Sequence, residues 1–504
     1  MNRWLILLAL GMGLSSPVYA KRAPKKQSYE ERMEIFQEVF AALDANDRNG
    51  AADHLMTIIN NTDPTYAYYH VDAYVQLAGL LEEFSLPYSA LIAYQKALEL
   101  DAGRVPTAAQ KAINLADQLG DTALLESIFS NNFALEVEGD TRSRMAYLAA
   151  REIFQKGELG PALGILQMVQ STDPDYPEAQ NLLGIIYSQM GSHEAAIKPL
   201  QTAYKKGLEM KKGAKFQEAV LMNMARAYFS AKNYGQSSVY YEQIPRESMY
   251  WLDAQFERGW AHFHLKDMNG TLGILHTLQS PFFTNEYYAE AEMLRIYVLI
   301  GYMCKFTEAN QEIDNFAIRF TPQQENFAIL GAKSPSELFN MVRDEIEGKE
   351  SELPYSLSRK FTQEDSILDA LHSIKAAEDE ANRLNGHGTQ YAKMAQGWVL
   401  ARKDAIIEKE GNRLKMRIIK MSMDLQRMLS SLDITRLDIL DMETQMLNRA
   451  AQTGKMEEAK RQVRREKRIK NGELVWEYQG EYWADEVGYY RVNTKSECSI
   501  QMME

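Results

Sequence analysis

The chain is poor in cysteine, with two among 504 residues, and poor in proline, with fourteen. Two cysteines, Cys304 and Cys498, exclude a disulfide framework as the source of stability. An oxidising compartment would permit a bond between them, and the sequence leaves that pairing open. Scarce proline permits long helices. Past the first twenty residues, no apolar run reaches the length of a membrane span. Positive charge is outweighed: 56 Lys and Arg face 69 Asp and Glu, a formal net charge of −13. That balance argues against broad nucleic-acid binding. Chemical signatures are missing too. There is no nucleophile elbow, Walker loop, dinucleotide fingerprint or zincin helix. Of eight histidines, only His262 and His264, with His276 nearby, cluster locally. Residues two apart on a helix point about 200° apart, so they do not make a metal site unaided. No cofactor, metal or catalytic residue is expected, and the chain reads as a non-enzyme.

What is present begins with an export pattern. Arg3 precedes "WLILLALGMGL", Trp4 to Leu14, and "SSPVYA" ends in Ala20. This predicts a cleaved secretory signal over 1–20, a linker over 21–28, and a protein that is periplasmic or secreted.

A repeat follows. Small residues recur at Ala52, Ala90, Ala162, Ala196, Ser237, Thr271 and Ala309, with Leu125 at the third site, at intervals of 34 to 41 residues. Four residues later stands a large apolar or aromatic side chain: Met56, Tyr94, Phe129, Leu166, Leu200, Tyr241, Leu275, Ile313. Three further on come Ile59, Ala97, Asn132, Val169, Ala203, Ile244, Leu278 and Phe316. Steps of four and three place these on one helix face. A second helical segment lies upstream of each, separated by a short turn such as "KGEL", "MGSH", "AKNY" or "LKDM". Within it Ala78, Ala150, Gly184, Ala225 and Gly259 share one site, which predicts close approach of the two helices.

Eight helix–turn–helix units over 29–320 resemble the tetratricopeptide repeat. The resemblance implies an all-α solenoid whose first helices line a concave groove for a protein or peptide ligand. Carried over by register, the groove-facing residues are Tyr147, Arg151, Phe154, Asn181, Arg226, Phe229, Phe256, Trp260 and Phe263. Arg151, Asn181 and Arg226 do not complete the family's carboxylate clamp. The aromatics fit a segment with apolar anchors better. Phe256, Trp260 and Phe263 share one helix face and predict an exposed patch.

Beyond the array, "SPSE" at Ser334–Glu337 predicts a capped closing helix within a 321–361 cap and linker. Helix resumes over 362–470. After Gly411, the seam positions step by four and three through Leu414, Ile418, Met421, Leu425, Met428, Leu432, Thr435, Ile439, Met442 and Met446. That is a coiled-coil seam over 412–453. An intramolecular hairpin with 363–384 and self-association both satisfy it. Residues 455–470 are strongly basic and suit either a solvated face or peripheral contact with lipid phosphates. The tail, 471–504, is dense in aromatics, among them Trp476, Tyr478, Tyr482 and Trp483. They suit folding back, an envelope partner or sugar faces. This tail resembles the ends of repeat proteins in bacterial envelope machines, such as those for gliding motility. The expectation is therefore a periplasmic scaffold or adaptor, associated with the outer membrane, that assembles an envelope machine of motility, secretion or pilus type. The alternative is a wall- or glycan-binding factor acting through the tail.

Overall fold

A computed structural model describes residues 29–126, 139–283, 288–453, 461–462, 482–492, 495–496 and 498. The export segment, Phe129, Asn132, most of 455–470, Trp476 and Tyr478 lie outside them.

Helices pair in sequence. A lead helix α1 (Tyr29–Ile35) precedes α2 (Gln37–Asp44) and α3 (Arg48–Asn60). After the single turn α4 (Pro64–Ala67) come α5 (His70–Glu83) and α6 (Pro87–Asp101), then α7 (Pro106–Leu119) and a helix beginning at 123–126. The next pairs are α8 (Gly139–Gln155) with α9 (Leu159–Leu166), α10 (Tyr176–Gln189) with α11 (His193–Glu209), and α12 (Ala214–Ser230) with α13 (Tyr234–Glu242). Then come α14 (Trp251–His264) with α15 (Met268–Leu278), and α16 (Ala289–Val298) with α17 (Phe306–Ala332).

The pairing follows from where the small residues sit. All eight repeat sites are 0% exposed. The apolar residues four further on are also buried wherever described. Gly184 shows why a helix tolerates glycine: a Cβ there would lie 2.4 Å from Leu200 Cγ and 3.2 Å from the Ala196 carbonyl oxygen. The cost of helical glycine, about 1 kcal/mol, is offset by that approach. Gly259 is less constrained, its nearest neighbour being Ile274 Cγ2 at 3.5 Å.

Each turn inside a unit holds one residue in the left-handed region: Asn46, Ser85, Gly120, Gly157, Gly191, Lys232, Lys266 and Cys304. In seven units the repeat site follows five positions later. In the first, five positions lead to Ala51 rather than Ala52, so that unit's register is corrected by one. Its core residues are then Leu55 and Ile58, both buried.

The array does not end where 320 meets 321, because α17 continues through it to Ala332. Helix α18 (Pro335–Ile346) starts on a capping box: the Ser334 hydroxyl accepts from the Glu337 amide, and Glu337 accepts from the Ser334 amide. After α19 (Tyr355–Thr362), helices α20 (Asp365–Leu384) and α21 (Gln390–Thr453) form a hairpin. Helix α21 has 64 residues, roughly 96 Å at 1.5 Å per residue. It starts well before Gly411. A Cβ at Gly411 would lie 2.1 Å from the Pro335 carbonyl oxygen, so this glycine marks a helix crossing, not a helix start.

The seam is filled within the chain. Leu414, Ile418, Leu425, Leu432 and Ile439 are buried in one core with residues of α17, α18 and α20. The seam is thus occupied within the chain, but mainly by α17 and α18: Ser422 meets Gln324 and Arg436 binds Asp314. The expected hairpin with 363–384 forms over the earlier part of α21, where Ala377, Ala381 and Leu384 pack with Tyr391, Ala395 and Val399, so the expectation that it fills the seam is corrected. The hairpin also grips the opposite end of the array. Glu380 accepts from the amides of Tyr88 (2.8 Å) and Ser89 (2.7 Å). Tyr391 donates from its amide to Asp53 (2.8 Å) and from its hydroxyl to Asn49 (2.8 Å). Arg402 binds Asp121 through two nitrogens, at 2.5 and 2.8 Å. Burial pushes the Glu380 carboxyl up, although those amides oppose it.

The fold is all-α apart from one antiparallel bridge, β1 (Arg461–Gln462) with β2 (Lys495–Ser496), which holds the only strands among the described residues. Next to β2, Cys498 forms a disulfide with Cys304, Cα to Cα 5.0 Å, which closes the pairing left open above.

Candidate functional site

The residues expected to line the groove fall on four successive first helices: α8, α10, α12 and α14. Their polar members are already engaged across units. Arg151 meets the buried Glu126 at 3.3 Å. Asn181 accepts from Asn223 at 3.0 Å. Arg226 forks onto Glu257 at 2.5, 2.8 and 3.1 Å, and Glu257 also accepts from the Tyr241 hydroxyl at 2.7 Å. The Asn181–Asn223 and Arg226–Glu257 pairs tie neighbouring first helices together, and Arg151 ties α8 to the second helix of the unit before it, so these residues form no free basic clamp. Tyr147 is half-buried under Arg144 and Arg151, and Phe154 packs into the same local core.

The aromatics of α12 and α14 form a ridge. Phe229 meets His264 edge-on at 5.5 Å. His264 stacks on Tyr234 at 4.5 Å and lies 6.4 Å from Trp260. Trp260 meets Phe263 at 5.8 Å, and Phe263 meets Tyr302 at 5.5 Å. Phe256 turns toward Tyr288 at 5.6 Å. Phe256, Trp260 and Phe263 are half-buried rather than exposed, each packed partly against the core of these units. The expected exposed patch is thus a ridge whose rings brace one another and keep one side open. Sequence reasoning missed Tyr234, His264 and Tyr302. Their signal was position: Tyr234 and His264 each flank the turn of their own unit.

The three histidines do separate things. His264 is in the ridge. His262 accepts or donates to Ser238 Oγ at 3.1 Å and meets Asp267 Oδ2 at 3.0 Å. This is a Ser–His–Asp line, but Ser238 is buried and its hydroxyl also receives Arg258 Nε at 3.2 Å. Asp267 is the cap of α15, accepting from the Gly270 amide at 3.0 Å, and it also binds Arg491 at 2.7 Å. Burial opposes its charge, yet His262, that amide and Arg491 hold its carboxyl well below the usual range. The line is built as a brace between units.

His276 belongs to the tail. Residues 482–492 lie across α15, which is buried along its whole length. Tyr482 stacks on the His276 ring at 4.2 Å and meets Nδ1 at 3.1 Å, while Tyr490 approaches edge-on at 4.9 Å. Val487 is buried, the Gly488 amide donates to Thr277 Oγ1 at 3.1 Å, and the Val492 amide to the Asn269 carbonyl at 3.2 Å. Burial, helped by the Arg295 charge, lowers the His276 pKa to about 4. Tyr482 is therefore committed to the fold. Trp483 is 58% and Tyr489 74% exposed. Beside the docked tail, a cavity of about 730 Å³ opens between Arg246, Trp251, Phe283, Arg359, Gln363 and Ala484.

No protein-family model and no curated protein matches the sequence. Among solved structures the chain is similar to a tetratricopeptide repeat protein from Parabacteroides merdae, at 15% identity over 57% of this chain and 92% of that one, with a TM-score of 0.26. It is also similar to the Naa15/Naa10 complex bound to HypK-THB (14% identity, 84% and 63% covered, TM-score 0.33) and to yeast Tom70 (11%, 86% and 100%, TM-score 0.21). The units described above define the class: an all-α solenoid of tetratricopeptide-like repeats, closed by a long helical hairpin.

Proposed function

We propose that the protein is a non-enzymatic scaffold that holds a protein or peptide segment against the first helices of its sixth and seventh units. The observation that carries this reading is the aromatic ridge of Phe229, Tyr234, His264, Trp260 and Phe263. Rings pre-braced by neighbours lose little freedom on binding and supply large apolar area, which is what binding anchors need. The occupant would be a segment with apolar or aromatic side chains, since Arg226 and Glu257 are already engaged with each other.

The setting we propose is the periplasm or the cell exterior, with the scaffold serving an envelope assembly. Two features support it. The first twenty residues have the pattern of an export signal, and the Cys304–Cys498 bond suits an oxidising compartment. The exposed Trp483 and Tyr489 favour a second reading, in which the docked tail stacks on glycan.

The test is a paired measurement on Trp260→Ala. Affinity for the co-purified partner should fall by about 2 kcal/mol, near thirtyfold. The melting temperature of the free protein should move by only a few degrees. A large drop in melting temperature with unchanged affinity would refute the ridge as a binding face. Co-sedimentation with isolated cell wall, abolished by Trp483→Ala, would instead favour the glycan reading.

A further inference from the structure

Helix α21 carries further exposed apolar residues: Met416, Met423 and Leu437 opposite its buried seam, and Ile434, Leu440 and Leu447 on its flanks. The two methionines are more than half exposed. Met416, Met423 and Leu437 fall on one heptad series whose missing step is Ser430, Leu440 and Leu447 fall on a second three residues on, and Ile434 lies beside the first. This is the pattern of a helix expecting a helical neighbour. At its middle, Met423, Arg427, Ser430 and Ile434 surround a hollow of about 460 Å³, left open because Ser430 and Ser431 are small.

The charge around the stripe chooses the neighbour. From 413 to 427 there are five basic residues and one acidic; from 433 to 446 there are four acidic and one basic. Some are engaged at home: Arg413 and Arg417 with Glu364, and Arg436 with Asp314. Lys420, Arg427, Asp438 and Asp441 remain on the exposed side. Arg427 is 73% exposed despite its contact with Asp424. A helix that is basic at one end and acidic at the other, on one apolar face, is complementary to itself when reversed.

We infer that two copies of this chain pair antiparallel along the outer face of α21, with the two-fold axis near Ser430. The basic half of one copy lies on the acidic half of the other, and the central hollow receives a side chain from across the axis. Such a two-fold contact is isologous: one patch meets itself. The stripe is roughly 47 Å long at 1.5 Å per residue, enough for a four-heptad pairing.

The test is sedimentation equilibrium of the purified protein with reversed halves. Lys420→Glu/Arg427→Glu makes both exposed halves acidic. Asp438→Lys/Asp441→Lys makes both basic. Wild-type protein should form dimers, and each double variant alone should dissociate at least tenfold more readily. Mixing the two variants should restore dimers, whatever the exact register. Unchanged circular dichroism and melting would show that each variant is folded. A variant that unfolds is replaced by Leu437→Gln, which should weaken the dimer without a charge change. Raising salt should weaken wild-type pairing. Wild-type protein that stays monomeric at tens of micromolar overturns the inference. So does a dimer indifferent to these changes, or a monomer that binds anionic vesicles through the same stripe.

Discussion

Gly273 offers a sign test of how the tail sits on α15. An alanine Cβ there would lie 1.7 Å from the Tyr490 carbonyl oxygen, 2.4 Å from its carbon and 2.8 Å from Arg491 Cα. These are backbone atoms, so no side-chain rotation relieves the overlap. The backbone near 490 must retreat by more than an ångström. That movement breaks the Val492 amide bond to Asn269, weakens the Arg491 contact with Asp267, and lifts Tyr490 off His276. Losing two hydrogen bonds costs about 2 kcal/mol, and the disturbed packing adds about 1 more. Against this, alanine in a helix is favoured over glycine by about 1 kcal/mol. The net expectation is a loss of about 2 kcal/mol. Urea unfolding measures the total, and amide exchange over 488–492 locates it. A bare α15 would give the opposite sign, a gain of about 1 kcal/mol. A more stable Gly273→Ala protein with unchanged exchange in the tail would refute the docking.

Cys498→Ser, or a reductant, should release the tail from its tether. Closing a loop of 194 residues is worth about 5 kcal/mol in the chain-entropy view, so a fall of 2–5 kcal/mol is expected, read as a shift in the urea midpoint with and without dithiothreitol. His276 gives a pH dependence. Its folded pKa, about 4, lies below its ordinary value, so its contribution is complete above about pH 6.5 and is lost as pH falls toward 4. The loss approaches about 3 kcal/mol, and His276→Asn should flatten that part of the stability–pH curve.

Much of the array was legible because one rule repeats. A small side chain followed by bulky ones four and seven further on is a local pattern visible without contacts; the left-handed turn residue five positions before it shows only in the backbone angles. Its one slip was local as well: Ala51 and Ala52 are both small and both buried, and only the turn at Asn46 separates them. The capping box at Ser334 was equally local. What escaped reading is non-local. Gly411 looks like a helix break until the Pro335 backbone is seen pressing on it. The Cys304–Cys498 pair is 194 residues apart, and nothing nearby in sequence announces it. The ridge was seen in part, through Trp260 and Phe263, but Tyr302 reaches it from the next unit. The polar groove residues were found and misjudged: Arg226 looked available because Glu257 is 31 positions away.

The hairpin that holds Ser89 and Asp53 at one end and α17 at the other has an evolutionary corollary. Open repeat arrays change length by gaining or losing whole units, since each touches only its neighbours. Here one rigid helix measures the span. An added or deleted unit would carry Asp121 away from Arg402, or strand the α17 seam from Leu425. Substitutions within units can accumulate, but the number of units cannot drift without a matching change in the length of α21. This solenoid carries its own ruler.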